Sequence, residues 1–231
     1  ETTAGTSPIK TATGNQPSKA RIRQSFERAA LTYDSAASVQ RRICQQLAGR
    51  LPPGFQPFNI LDAGCGTGYA LALLQQQFPA TTTLALDLSP AMLGQITATC
   101  GKLAGDLEHL PLANASLDLY WSSLAVQWCD LAIALREAQR TLRPNGLVAM
   151  ASLGPATFHE LRHAFAGLDH YRHTLSFHSE NEIRKITANQ GFAAVNTKKS
   201  TKTAHYSDFK TLLRAVKAIG ANQLGDGRRT S

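Results

Sequence analysis

A glycine-rich turn, DAGCGTG at residues 62–68, is the part of this sequence whose residue types and spacing most directly suggest chemistry. Its glycines are Gly64, Gly66 and Gly68, a G-x-G-x-G spacing that is one residue shorter than the G-x-G-x-x-G of dinucleotide-binding folds. Glycine lets the backbone of such a turn approach a ligand closely, and a following helix points its N-terminal amides at that ligand. The turn therefore predicts a nucleoside-type ligand, with a purely structural tight turn as the alternative.

Three acidic residues strengthen the prediction of a ligand site. Asp62 precedes the turn, Asp87 ends the second predicted strand and Asp106 follows the third. Asp62 would favour a cationic ligand over a pyrophosphate, and a carboxylate placed like Asp87 can accept hydrogen bonds from both ribose hydroxyls. Asp106 could accept from an adenine amino group, with the Leu107 amide facing the ring. Each acid alone could be a loop residue or a helix cap, but the carboxyl ends of parallel strands converge on one crevice.

Strands and helices must alternate along the chain to bring these acids to one edge of a sheet. Apolar runs predict strands at 58–63, 81–88, 103–104, 117–122, 147–153 and 193–199. Helical periodicity predicts helices at 69–78, from Ser89-Pro90 onward, and at 132–142, 155–168, 180–190 and 207–221. This order is typical of an α/β fold with a Rossmann-like, doubly wound and mostly parallel sheet that has helices on both faces.

The length of 231 residues fits one domain. Residues 1–20 are rich in Thr, Ser, Gly and Pro and are expected to be a disordered lead-in. The domain would then occupy 21–231, with a helical cap at 21–51, a ligand-binding core at 57–153 and a substrate-side part at 154–231. No apolar strand closes the sequence, so we expect either that the sheet lacks a final antiparallel strand or that a C-terminal piece lies beyond the sequence.

Positive charge is concentrated at the two ends of a chain whose net charge is +8. Residues 1–50 carry 8 Lys or Arg against 3 acids, and 196–231 carry 8 against 2, whereas 51–195 carry 8 against 11. Basic flanks around a slightly acidic core favour an anionic partner or substrate, although a basic surface without a partner is the alternative.

Composition argues against a membrane protein, because no apolar run approaches the roughly 20 residues that span a bilayer. The seven histidines show no ligand spacing, and no metal site is expected. The cysteines also lack C-x-x-C or zinc spacing, so we expect them to stay reduced in the cytoplasm, with a disulfide less favoured. They are Cys44, Cys65, Cys100 and Cys129.

Five successive segments resemble the motifs of class I S-adenosylmethionine-dependent methyltransferases: ILDAGCGTG, LDLSPAML, GDLEHLPL, LDLYWSSLAVQW and LREAQRTLRPNGLV. Three more segments narrow the resemblance to the family of malonyl-[acyl-carrier-protein] O-methyltransferases of biotin synthesis: SFERAALTYDSAASVQR, SSLAVQWC and LLRAVKAIGANQLGDGR. The resemblance covers about residues 22–229 in order. The sequence departs from the family in having fewer residues before Gly105 and no final strand beyond Ser231.

The resemblance implies S-adenosylmethionine as the cofactor, and its sulfonium charge explains an acid-lined turn. The residues expected to bind the cofactor are Tyr33, Asp62, Gly64, Cys65, Gly66, Gly68, Asp87, Leu88, Met92, Asp106, Leu107 and Ser122. Tyr33 could equally be a core residue.

The implied reaction moves the methyl group to the free carboxylate of a malonyl thioester, carried by acyl carrier protein or coenzyme A. A carboxylate is ionised at neutral pH, so no general base and no catalytic side chain is expected. The acceptor would need a cationic holder and a pocket. The candidates are Arg41, Gln127, Trp128, Arg143, Arg214 and Lys217. Arg143 could instead cap its helix, and Trp128 could be a core residue.

Other functions stay open at this point. The nearest is methyl transfer to another small carboxylate, such as trans-aconitate, or to a quinone-type carbon, because fold alone does not separate these acceptors. An amine acceptor is disfavoured because Ser122-Ser123-Leu124-Ala125 replaces the [DN]PP[YF] of many amine methylases. A nicotinamide-dependent dehydrogenase is disfavoured by the glycine spacing, and a nucleic-acid module rests on the basic charge alone.

The basic flanks suggest a docking surface for an acidic carrier protein. The residues predicted to contribute are Arg214, Lys217, Arg228 and Arg229.

Overall fold

One parallel sheet is the centre of the protein, whose computed structural model describes residues 17–166 and 174–220. Its five strands stand in the order β3-β2-β1-β4-β5, and all four pairings are parallel. The strands are β1 Asn59–Ala63, β2 Thr82–Asp87, β3 Gly101–Ala104, β4 Leu117–Ser123 and β5 Leu142–Ala151. The predicted α/β fold is confirmed, and within the described ranges the sheet is fully parallel rather than mostly so.

Nine α-helices are assigned in the described residues, and three of them form a cap before the sheet. The cap helices are α1 Lys19–Ala29, α2 Tyr33–Ala36 and α3 Ser38–Ala48. The others are α4 Tyr69–Gln77, α5 Pro90–Gly94, α6 Leu131–Thr141, α7 His159–Phe165, α8 Glu180–Asn189 and α9 Phe209–Ala218. No helix within these ranges has the length and apolarity needed to cross a bilayer.

Alternate residues of the strands bury opposite faces of the sheet. Leu61 and Leu86 face a core that includes α6, whereas Ile60 and Trp121 face one that includes α3 and α4. Continuous apolar strands of this kind are expected where helices cover both faces of a parallel sheet. Strand order reverses between β1 and β4, so a crevice opens at their carboxyl ends, directly after Ala63.

Several element boundaries differ from the predictions. Helix α1 begins at Lys19, inside the expected lead-in, because Ser18 caps it by accepting from the Arg21 amide. The helix predicted at 155–168 is shortened at its start to His159. Residues 1–16, 167–173 and 221–231 lie outside the described part of the chain.

The predicted strand at 193–199 is wrong. Alternation in the sequence predicted a strand, but a strand forms only where its backbone pairs with a neighbour. Here the Val195 carbonyl accepts from Arg184, 2.9 Å away, and the Thr197 hydroxyl donates to Glu180. These bonds hold the segment against α8 rather than in the sheet.

Candidate cofactor site

The glycine turn that follows β1 has a backbone that side chains would obstruct. Gly64, Gly66 and Gly68 have φ angles of 77°, 54° and 85°, a left-handed conformation that favours glycine. A Cβ added to Gly64 would lie 2.2 Å from the Cβ of Ala125. The Gly64 and Cys65 amides both donate to the Leu86 carbonyl, at 2.7 and 3.0 Å. These bonds tie the turn to β2 and leave it as an open cradle.

Asp87 braces this turn from the end of β2. Its Oδ2 accepts from the Gly66 amide at 2.9 Å, and its Oδ1 accepts from the Ser89 amide at 2.8 Å. Burial raises the pKa of Asp87, while the hydrogen bonds from the Ser89, Gly66 and Leu88 amides lower it. Each carboxylate oxygen can accept a further bond, so this group suits the vicinal hydroxyls of a ribose.

Asp62 is a buried carboxyl group that lies one residue before the end of β1. Its side chain is 1% exposed, and its Oδ2 finds no hydrogen-bond partner among the described residues. Burial raises the pKa of Asp62 from 3.8 to about 8, and the negative charge of the neighbouring Asp87 contributes as the smaller cause. A buried anionic oxygen without a donor is costly unless a cation or donor meets it. Asp62 therefore suits the ammonium group of an amino-acid moiety.

Replacing Asp62 with asparagine is expected to stabilise the protein at alkaline pH and to weaken its binding of a cationic ligand. The folded protein holds the Asp62 proton more tightly than the unfolded chain does. As pH rises from 3.8 to about 8, Asp62 ionises in the unfolded chain before it does so in the folded protein, and the folded state loses stability. At pH 8.5 the melting temperature should rise by about 5 °C or more. Scanning calorimetry measures the shift, and titration with S-adenosylhomocysteine measures the affinity.

Measurements at pH 4.5 provide the internal control for Asp62→Asn. Folded Asp62 is then protonated and nearly equal in size to asparagine, and only a small part of the stability loss that begins near pH 3.8 is present, so the difference in melting temperature should be much smaller than at pH 8.5. An equal difference at both pH values would contradict the assigned pKa.

Asp106 and Leu107 lie in the loop that follows β3, as predicted. Leu107 is buried, and its Cδ1 would be 4.0 Å from a Cβ placed on Gly64, so the loop borders the glycine cradle. Asp106 Oδ1 accepts from the Lys19 ammonium at 3.0 Å and from the Glu108 amide at 3.1 Å. The structure thus brings Asp106 to the crevice together with a cap residue that the sequence analysis did not identify.

Three further residues predicted to bind the cofactor have structural contacts. Ser122 is fully buried, and its hydroxyl donates to the Ala63 carbonyl at 2.8 Å, joining β4 to β1. Met92 is fully buried beneath α1, where it contacts Ala29 and Ala30. Burial raises the pKa of the Cys65 thiol well above its usual value. Ser122 and Met92 thus help to hold the scaffold, Leu88 is half-buried, and contact of these four residues with the cofactor stays a prediction.

The cap lies directly over the glycine turn. Tyr33 packs against it, with its Cε1 3.9 Å from the position of a Cβ on Gly66. The next residue, Asp34, accepts from the Thr67 hydroxyl at 2.7 Å and pairs with Arg41 at 3.5 Å. Sequence reasoning missed Asp34 and Thr67, because nothing in the local pattern joins residues that lie 33 positions apart.

Gln127 and Trp128 form the wall of the crevice that follows β4. The ring of Trp128 meets Phe26 of the cap edge-on, with centroids 5.6 Å apart. Gln127 donates to the Leu124 carbonyl at 2.7 Å, and its buried Oε1 has no partner among the described residues. Leu124 itself has a φ of 60°, a costly conformation that is typical of functional sites.

Arg143 lies away from the glycine turn, and its contact with the substrate stays a prediction. Its guanidinium pairs with Asp118 at 3.0 Å near the start of β4. The pair lies at the amino ends of the strands, whereas the glycine turn lies at their carboxyl ends. Within the described residues its side-chain hydrogen bonds go to Asp118 rather than to the end of α6. The physical reason is that Asp118 offers it a half-buried carboxylate that also accepts from the amides of Phe58 and Asn59.

The other three candidate cations occupy the cap and the C-terminal helix. Arg41 donates to the Asp34 carbonyl and lies 5.5 Å from the centre of the Tyr69 ring. Arg214 and Lys217 are exposed on α9. The C-terminal end of α9 is bonded to the cap, because Ser25 donates to the Gly220 carbonyl at 3.0 Å.

The three carboxylates of the crevice fit the functional groups of S-adenosylmethionine. Asp62 offers an unpaired oxygen to an ammonium, Asp87 suits ribose hydroxyls, and Asp106 lies where an adenine amino group is expected. The left-handed glycines allow the turn to pack closely, since a Cβ on Gly64 would clash with the Cβ of Ala125. The cofactor of this protein is S-adenosylmethionine.

Comparison with known proteins agrees with this geometry. The family profile described as methyltransferase domain matches residues 61–150. A protein of Haloferax volcanii, solved in complex with the Trm112 methyltransferase activator, superposes with a TM-score of 0.63 at 22% identity, covering 88% of this chain and 94% of that one. The fold and the site thus define a class I S-adenosylmethionine-dependent methyltransferase.

Two curated relatives narrow the class. The malonyl-[acyl-carrier protein] O-methyltransferase of Dechloromonas aromatica is 70% identical, covering 98% of this chain and 86% of that protein. The enzyme of the same name from Laribacter hongkongensis is 40% identical, covering 91% of this chain and 76% of its own. The chain belongs to the malonyl-[acyl-carrier protein] O-methyltransferase family.

Proposed function

We propose that the protein transfers a methyl group from S-adenosylmethionine to the free carboxylate of a malonyl thioester, giving the methyl ester that starts pimeloyl formation in biotin synthesis. The observation that carries the proposal is the 70% identity to a malonyl-[acyl-carrier protein] O-methyltransferase over 98% of the chain. So long a match includes the cap and α9, the parts that surround the acceptor side, as well as the common core.

When bound, S-adenosylmethionine supplies an electrophilic methyl group on a sulfonium. The acceptor carboxylate is ionised at neutral pH, so the protein's task is to align and desolvate it rather than to remove a proton. Alignment of two reactants in near-attack geometry contributes up to about 7–11 kcal/mol. The cap supports this role, because Tyr33 covers the glycine turn and Phe26 closes against Trp128.

Six uncharged residues lie where β4 and β5 leave the sheet: Leu124, Gln127, Trp128, Leu153, Gly154 and Pro155. They line part of an open groove of about 2400 Å³ beside β5, whose other walls carry charged side chains such as Arg143, Glu160 and Lys199. An uncharged wall removes water from a carboxylate nucleophile, which favours its attack on a cationic methyl donor. The groove extends well beyond the space that a malonyl group requires, which suits an acceptor carried on a long arm.

A methyl-transfer assay with malonyl-acyl carrier protein, malonyl-coenzyme A and trans-aconitate tests this function. We expect methylation of at least one malonyl thioester and no appreciable methylation of trans-aconitate. Methylation of trans-aconitate alone would overturn the proposal and favour a different carboxyl methyltransferase. The ratio of the two thioester rates shows which carrier the protein prefers.

We also propose the domain organisation expected from the sequence, with the helical cap, the core at 57–153 and a substrate-side part from residue 154. The cap would extend from residue 17 rather than 21, because Pro17 is buried and α1 starts at Lys19. A cytoplasmic location is proposed as well, where the four free cysteines would stay reduced.

The carrier protein would dock on the basic surface of α9, which we define as Lys210, Arg214 and Lys217. All three side chains are exposed, and the neighbouring Phe209 and Leu213 are 49% and 44% exposed. Cations that surround exposed apolar side chains suit an acidic partner with an apolar contact patch. Arg228 and Arg229, predicted to contribute, lie outside the described residues.

Reversing two of these charges, Arg214→Glu with Lys217→Glu, is expected to raise the KM for malonyl-acyl carrier protein about tenfold at low salt, because rim charges steer association. The affinity for S-adenosylhomocysteine should not change. Steady-state kinetics at 50 and 300 mM salt measure the effect, which should shrink at the higher concentration.

The double variant Arg136→Glu with Lys185→Glu is the matched control, since it reverses two exposed cations on α6 and α8. Both double variants change the net charge equally. A similar rise in KM for the two would exclude a local docking surface on α9.

A further inference from the structure

Lys19, the first residue of α1, places its ammonium group beside the loop that follows β3. Its Nζ lies 2.6 Å from Glu108 Oε1 and 3.0 Å from Asp106 Oδ1. The Cys129 sulfur is 3.6 Å from the same nitrogen. One cation of the cap thus bridges two carboxylates at the expected adenine end of the crevice.

The contact with Lys19 makes the two carboxylate oxygens of Asp106 unequal. In the described part of the chain, both donors to this carboxylate, Lys19 Nζ and the Glu108 amide, reach Oδ1. Oδ2 therefore keeps its capacity to accept from a further donor. A carboxylate fixed through one oxygen presents the other in a defined direction, which is what selective recognition requires.

The bridge also neutralises a group of closely spaced acidic ligands. Ligand atoms of Asp106, Glu108 and Cys129 lie within 4.8 Å of one another, a spacing that could hold a metal ion. The ammonium of Lys19 supplies a positive charge at this place instead. Burial lowers the pKa of Lys19, but Cys129, Glu108 and Asp106 more than offset this and raise the pKa above its usual value, so the side chain stays charged.

Two carboxylates this close would repel each other without a cation, and one of them would turn away. Glu108 is fixed independently, because its Oε1 accepts from the Asp130 amide at 2.8 Å. Asp106 is the more exposed of the two, with 25% of its side chain accessible against 15% for Glu108. Loss of the ammonium would therefore disturb Asp106 first.

We propose that Lys19 is a positioning residue for adenine recognition, whose ammonium holds Asp106 through Oδ1 and leaves Oδ2 directed to accept from the 6-amino group. An anionic carboxylate only accepts hydrogen bonds, so it attracts a 6-amino group and repels the 6-oxo group of hypoxanthine. The inference concerns the cofactor alone and stands independently of the proposed acceptor.

Binding of S-adenosylhomocysteine and of its 6-oxo analogue S-inosylhomocysteine, measured by calorimetry, tests the proposal without turnover. We expect the wild-type protein to prefer the adenosyl ligand at least tenfold, as loss of a bond to a charged group implies. Lys19→Met should reduce this preference to about threefold or less, while Lys19→Arg should retain most of it.

Adding Glu108→Gln to Lys19→Met provides a further test, because it removes the repulsion and should restore part of the preference. Arg23→Met is the control for losing a cation from the same helix, since Arg23 pairs locally with Glu27 at 2.8 Å and with no other acid in the described residues. A Lys19→Met variant that weakens both ligands by the same factor would show that Lys19 merely holds the cap, and this would overturn the proposal. An unchanged preference would do the same.

Discussion

Replacing Asp87 with alanine is expected to weaken S-adenosylhomocysteine binding at least 100-fold. The carboxylate is the predicted acceptor of both ribose hydroxyls, and hydrogen bonds to a charged group contribute about 1.5–3 kcal/mol each. It also accepts from the Gly66 and Ser89 amides at 2.9 and 2.8 Å, so its loss loosens the turn itself. Two lost bonds correspond to roughly two to four powers of ten in affinity, which calorimetry measures directly.

Asp118→Ala separates ribose binding from structural bracing. Asp118 also accepts from two backbone amides, those of Phe58 and Asn59, at 2.9 and 2.8 Å. These bonds lie at the amino ends of the strands, away from the crevice. Its loss should lower the melting temperature to a similar extent and leave ligand affinity within about threefold of the wild type. Retained micromolar affinity in Asp87→Ala would remove Asp87 from the ribose site.

Replacing Gly64 with alanine is expected to destabilise the protein and to reduce cofactor binding together. The new Cβ would lie 2.2 Å from the Ala125 Cβ, and a φ of 77° is strained for alanine. Overpacking costs about 1–3 kcal/mol and left-handed strain about 1–2 kcal/mol, so the melting temperature should fall by roughly 5–15 °C. Because relief of the clash moves the turn, affinity for S-adenosylhomocysteine should drop at least tenfold, as thermal shift and calorimetry would measure.

Gly94→Ala is the control for the glycine substitution. Gly94 ends α5, and a Cβ placed there meets no atom within 4 Å. That variant should melt within about 2 °C of the wild type, since alanine is the better helix former. If Gly64→Ala behaved the same way, the close approach of the turn to Ala125 would be wrong.

The order of elements could be read from the sequence because hydrophobic periodicity is local. β1, β2 and β4 are short segments rich in apolar residues, and they occur within one or two residues of their predicted bounds. The segment at 193–199 shows the limit of this reasoning. Its alternation of apolar and polar residues is typical of a strand, but it is bonded to Arg184 and Glu180 of helix α8 instead of a neighbouring strand. A local sequence pattern does not show which partner a segment will find.

Some residues of the candidate site could likewise be placed from the sequence, and others could not. A glycine turn and an acid at the end of a strand are fixed by chain connectivity, so Asp62, Asp87 and Asp106 could be placed at the crevice without coordinates. The ion-pair partner of a long Lys or Arg side chain is not fixed by chain connectivity. Arg143 seemed available to a substrate, yet Asp118 lies 3.0 Å from it at the far edge of the sheet.

By itself the sequence determined that a cradle of glycines and three acids share one crevice, because the carboxyl ends of parallel strands must meet at one edge. Only the tertiary structure decided which of these charges are already paired. Lys19 lies 87 positions from Asp106 in the chain and 3.0 Å from it in space. Since electrostatic interactions and burial depend on distance in space rather than along the chain, the pairing of Asp106 and the isolation of Asp62 emerge only on folding.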